Sequence, residues 1–118
     1  MSQETLEQSP ALIASQNSWK CVQAKDKAGW LALMTDDVVI EDPIGPSYTN
    51  PDGTGVTGKD GISEWWEKSV SLAAIKITCE ETFPSSSPNE IAHILRLRFT
   101  FDNGSASGVR GIFTYKVN

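Results

Sequence analysis

Apolar residues recur at two different periods along the chain, helical in the first half and alternating in the second. Ser9-Pro10 reads as an N-cap followed by proline at the first helical position, where a missing N–H costs nothing. Leu12, Trp19 and Val22 then mark one helix face, with Ile13 and Cys21 beside it, and the helix is expected to end near Lys25. Asp26 caps a shorter, largely buried helix through Trp30, Leu31, Leu33 and Met34. Residues 38–42 are β-branched and bounded by proline, hence a short strand, and the Pro/Gly/Asn/Asp-rich run to Gly58 is a loop. A third helix opens at Gly58 and carries Ile62, Trp65, Trp66 and Ser69.

Beyond it, three runs alternate: 75–83, 91–101 and 109–117. In the middle run Leu95, Leu97, Phe99 and Phe101 share one face while Arg96, Arg98 and Thr100 share the other, the pattern of a sheet with one wet side. Asp102-Asn103-Gly104 supplies a turn into the last run, and "PSSSP" at 84–88 is a loop. Helices followed by an antiparallel meander predict an α+β fold, with the helices on one face of a curved sheet that can wrap into a cone. A chain of 118 residues fits one domain, 1–118, with 1–8 as a flexible lead-in.

Composition narrows the function. A net charge of -5 and a pI near 4.7 oppose a phosphate-binding surface and so exclude nucleic acid as the expected partner. Cys21 and Cys79 lack metal-ligand spacing and a disulfide framework, which fits reduced thiols and a cytoplasmic setting. The acidic start "MSQETLEQSP" is not a signal peptide, no stretch is long enough for a membrane span, and no cofactor or metal motif is present.

The chemistry concentrates where the first strand ends in Glu41-Asp42-Pro43. Side chains alternate, so Val38, Ile40 and Asp42 point one way and Glu41 the other; with Ile40 on the core side, Asp42 sits at the rim of an apolar interior. Desolvation there raises a carboxyl pKa and makes it a better proton acceptor near neutrality. The plainer alternative is an Asp-Pro turn. Trp19, Ile40, Trp65, Trp66, Phe83, Leu97, Phe99 and Phe113 are expected to wall a pocket for a rigid polycyclic ligand. Glu81 is a second candidate acid, better read as a rim residue in water.

"DKAGWLALMTDDVVIEDPIG" at 26–45, "GKDGISEWWEKSV" at 58–70 and the ending "FTYKVN" resemble the ketosteroid isomerase branch of the nuclear transport factor 2-like (SnoaL-like) superfamily. The resemblance implies a cone-shaped fold and a steroid or similar polycyclic ketone as ligand, with the family's general base falling on Asp42. Its two oxyanion donors are not matched: Ser18 stands where the tyrosine would be, and Phe113 where the donor aspartic acid would be. Tyr115, Tyr48 and His93 are the substitutes, with His93 better read as structural. The family cone has a further strand after the last run, not found in this sequence, so either the sequence is a shortened one or the final strand is left as an edge that invites a homodimer or strand-swapped assembly. Three functions follow: a steroid isomerase with Asp42 as base; a non-catalytic binder of small hydrophobic molecules using the same pocket; and, last, a water-activating hydrolase or a dehydratase, for which Arg110 is the nearest partner but points outward.

Overall fold

The computed structural model describes residues 9–42, 44–48 and 50–118, so the expected lead-in 1–8 and Pro43 of the Asp-Pro turn lie outside the described residues. Helix α1, Pro10–Ala24, is capped by Ser9, whose Oγ accepts from the Leu12 N–H at 3.4 Å and donates to the Pro88 carbonyl at 2.9 Å. One hydroxyl thus starts the helix and anchors it to the 84–88 loop. Lys25 ends α1 in the left-handed region, φ 60°, with its N–H on the Cys21 and Val22 carbonyls. Its ammonium donates to the Val70 and Ala73 carbonyls, clasping the end of α1 to the turn before the sheet.

Asp26 caps α2, Lys27–Ala32, through a 3.0 Å bond from the Gly29 N–H. Leu33 terminates it and is exposed, as is Ile13 in α1; neither joins the core expected of it. Strand β1 is only Val39–Ile40, and it pairs antiparallel with β2, Val56–Thr57, a strand lying inside the expected loop. Gly55 permits that approach: its φ is +93°, and a Cβ there would meet Val39 Cγ1 at 2.7 Å. Helix α3, Gly58–Lys68, follows at once and leads through a 3-10 turn, Val70–Leu72, into the sheet.

Strands β3, Ala74–Pro84, β4, Glu90–Thr100, and β5, Ala106–Lys116, form an antiparallel sheet in that order. The α+β meander is as expected, with β5 starting three residues before the alternation becomes visible in sequence. Trp30, Ile62, Trp66, Val70 and Ile75 form the main core cluster, and Val38, Ile40, Leu97 and Phe99 pack on it. A second cluster, Ala11, Leu12 and Ile91, seats the first turn of α1 against the far end of β4.

One irregularity redirects a whole stretch of β3. The pairing steps from Cys79↔Leu95 to Glu81↔Ile94, so Glu80 is an extra residue in a β-bulge. Residues before it keep the expected parity, with Ile75, Ile77 and Cys79 opposite Phe99, Leu97 and Leu95. Beyond it the parity inverts: Thr82 and Pro84 now oppose His93 and Ile91 on the inner face, and Glu81 and Phe83 oppose Ile94 and Ala92 on the outer one. Phe83 is therefore not a pocket wall but an outer, 46% exposed side chain, and Glu81 is not an inward acid. Glu80 holds the bulge outward, accepting from Arg96 Nε and Arg110 Nε at 2.7 Å each.

Candidate active site

The inner faces of β4 and β5 meet α1 at an aromatic group. Register places Tyr115 opposite Ile91 and Phe113 opposite His93. Trp19, projecting from α1, lies edge-on to both His93, with centroids 4.7 Å apart, and Tyr115, 6.2 Å apart. Its indole Nε1–H donates to Tyr115 Oη at 2.8 Å. That bond fixes the phenol and occupies one lone pair, so the Tyr115 O–H is directed elsewhere. Burial holds the Tyr115 phenol protonated, pushing its pKa up to about 12 against the lowering influence of the Trp19 bond; the charge of Asp42 adds to the rise.

Asp42 lies two residues after β1, in a bend; Val38 and Ile40 beside it pack on the core while Val39 is exposed. Its carboxyl keeps contact with solvent, yet enough protein surrounds it that burial raises its pKa above the ordinary 3.8. The charge of Asp42 is thus one of those felt by the Tyr115 phenol, after burial and the Trp19 bond. A base and a donor held by different elements can move a proton beside a carbonyl while stabilising the oxygen that gains charge.

The other candidates separate from this pair. Ser18 lies on the α2 side of α1, its Oγ accepting from Trp30 Nε1 at 3.2 Å. Trp65 and Trp66 gather around Trp30, at centroid distances of 5.9 and 5.0 Å, so this trio builds the core beneath α3. Trp66 is only 3% exposed. Ile40, Leu97 and Phe99 are half-buried where core and interior meet, and Phe113 is half-buried beside His93. Tyr48, at 92% exposed, projects from the loop into solvent. His93 is wholly buried and bonded at both ring nitrogens. Arg110 faces outward onto Glu80.

Sequence reading placed Trp19 as wall and missed it as the donor that fixes Tyr115. No local signal carries that pairing, which spans 96 residues. Among the described residues no group of three or more His, Cys, Asp or Glu side chains could hold a metal ion, and no helix is long and apolar enough to cross a membrane.

Comparison with known proteins adds a lineage. No curated protein matches the chain. The Mycobacterium tuberculosis protein RV0760c, crystallised in complex with estradiol-17beta-hemisuccinate, is 64% identical with a TM-score of 0.89, over 93% of this chain and 85% of that one. The Δ5-3-ketosteroid isomerase from Mycobacterium sp. is 57% identical with a TM-score of 0.89, over 93% and 84%. A computationally designed 17-OHP binder is 60% identical with a TM-score of 0.90, over 93% and 84%. The model of the SnoaL-like domain matches residues 16–118, which include the α1 face that carries Trp19, the end of β1 and all three long strands. By that match the chain belongs to the SnoaL-like domain family, and its α+β cone is that family's fold.

Proposed function

We propose that the protein is a ketosteroid isomerase-like enzyme that binds a steroid or similar polycyclic ketone, with Asp42 as general base and Tyr115 as oxyanion donor. The buried Tyr115 phenol, fixed by Trp19 and acted on by the charge of Asp42, supports this reading above all else. The similarity to an isomerase and to a steroid complex supplies the ligand class. In the proposed cycle the Asp42 carboxylate takes a proton from the carbon between the 3-oxo group and the 5,6 double bond. The electron pair moves onto the carbonyl oxygen, where the Tyr115 O–H donates to it. The dienolate then collects the same proton at the far end of the former double bond, giving the conjugated enone and restoring the carboxylate. Atoms balance without a cofactor.

A second reading, a non-catalytic steroid-binding protein, rests on one observation. The two positions where the resemblance puts its donors hold a serine engaged by Trp30 and a phenylalanine, which cannot donate. Mixing the protein with 5-androstene-3,17-dione and following enone absorbance separates the readings. Turnover that disappears in Asp42→Asn supports the enzyme; quenching of tryptophan fluorescence without turnover supports the binder.

The assembly reading also stands as a proposal: β5 is an edge of its sheet, with Val109 50% and Ile112 74% exposed, and a second copy of the chain would cover it. Sedimentation equilibrium giving a monomer at all concentrations would sink that part. A cytoplasmic setting remains the reading that the two free thiols suit.

A further inference from the structure

The β-bulge at Glu80 does more than turn Phe83 outward. In a regular strand residues three apart lie on opposite faces, so Cys79 and Thr82 would never meet. The extra residue puts both on the inner face, where Thr82 opposes His93 and Cys79 opposes its neighbour Leu95. The contacts follow: Cys79 Sγ to Thr82 Oγ1 at 3.4 Å, Thr82 Oγ1 to His93 Nδ1 at 3.0 Å, and Cys79 Sγ to His93 Nδ1 at 3.7 Å, with the thiol also donating to the Glu81 carbonyl at 3.6 Å, a bond it must leave to pass its proton to Thr82.

Hydrogen-bond bookkeeping fixes the direction of this chain. Ser15 Oγ donates its one hydrogen to the Leu12 carbonyl at 2.8 Å, so toward His93 Nε2, 3.0 Å away, it can only accept. Nε2 must therefore carry the ring proton. The opposite tautomer would require Ser15 Oγ to give up the Leu12 carbonyl and turn its hydrogen to Nε2. Nδ1 is then an acceptor facing Thr82 and Cys79, and burial keeps the ring neutral at rest by lowering its pKa. Among the described residues, the groups placed around the ring other than Cys79 are Ser15 and Trp19 from α1, Thr82 from β3, and Phe113 and Tyr115 from β5, the Tyr115 ring centroid 5.8 Å away; none is charged. Cys79 itself is exposed, whereas Cys21 is half-buried.

We propose that Cys79, Thr82 and His93 form a base-assisted thiol site that captures α,β-unsaturated carbonyl compounds by conjugate addition, independently of the reaction assigned to Asp42. A nucleophile, a base and a group orienting the base are the parts such a site needs. As the S–C bond forms at the β-carbon, the C=C electron pair moves to the carbonyl as an enolate. The thiol proton passes to Thr82 Oγ1 as the Thr82 proton passes to His93 Nδ1. The imidazolium then returns a proton, through the same hydroxyl, to the α-carbon side, so the thiol has added across the double bond with no change of oxidation state. Thr82 acts as a positioning residue and Ser15 as the group that sets the tautomer.

The test uses N-ethylmaleimide on the intact native chain, with site-resolved adduct formation timed by mass spectrometry and glutathione as the unassisted thiol. Cys79 is expected to react about tenfold or more faster than glutathione at neutral pH, a floor set below the roughly 10²- to 10⁴-fold that general-base assistance supplies. Thr82→Val should bring it to the glutathione rate, Thr82→Ser should keep it fast, and Cys21 should stay slow in all three chains. A wild-type Cys79 rate at or below that of glutathione, or an unchanged rate in Thr82→Val, overturns the proposal. Should Thr82→Val loosen the fold, Cys21 would become as reactive as Cys79, and the wild-type rate with the Thr82→Ser comparison then decides.

Discussion

Replacing Tyr115 by Phe removes one hydroxyl and leaves the ring that contacts Trp19 and His93 in place. Two separable effects follow. The first concerns the reaction. If the phenol is the donor to the dienolate oxygen, its loss should lower kcat about 10²- to 10³-fold, or about 3–4 kcal/mol of barrier, as for other single oxyanion donors. KM should move little, because the bond strengthens only as charge develops on the oxygen. The second concerns the fold. The Trp19 indole N–H loses its 2.8 Å acceptor, but Trp19 is only half-buried and water can replace it, so the cost is about 1 kcal/mol. For 118 residues that is a fall of about 4 °C in Tm. Enone absorbance at saturating steroid gives kcat, and a thermal melt gives the other number. A kcat within about threefold of wild type, in a chain that still melts cooperatively, would remove Tyr115 from the mechanism; so would a loss confined to KM.

Asp42→Asn should abolish turnover yet raise Tm near neutral pH. Burial lifts the Asp42 pKa above 3.8, so its stabilising contribution is full below that value and is lost as pH rises through the folded pKa; the amide avoids that loss, and the Tm advantage should vanish as pH falls toward 3.8. His93 has the opposite sign. Its pKa lies below 6.5, so the stability it gives is full above pH 6.5 and drains as pH falls through it, when the unfolded chain takes a proton the buried ring refuses; acid melts of His93→Gln should show a shallower slope there. Gly55→Ala should cost about 1–3 kcal/mol in urea unfolding, since it places a Cβ at positive φ and 2.7 Å from Val39 Cγ1. An unchanged midpoint would mean that β2 does not pair with β1 as described.

How much of this was legible follows from the range of each interaction. The start of α1, the Asp26 cap and the two faces of β4 are written within a few residues, in a cap, a proline and a period of two, and all three appear where expected. So is the parity that carries Ile40 inward. Strand β2 was hidden because two residues have no period; only its pairing with Val39 and Ile40 makes Val56 and Thr57 a strand.

The sequence by itself determined the α+β order of elements, the acid at the end of the first strand and the membership that its residues share with known relatives. Each depends on local patterning, which hydrophobic burial enforces wherever the chain is placed. Only the tertiary structure decided which side chains meet. The Glu80 bulge rests on arginines 16 and 30 residues away, and it sends Phe83 out and Thr82 in. Trp19 finds Tyr115 across 96 residues and Ser15 finds His93 across 78, because α1 must lie on the inner face of the sheet to bury Ala11 and Leu12 against Ile91. A one-residue change of register inverts a strand's faces, and no local pattern reveals where a distant partner will impose that change.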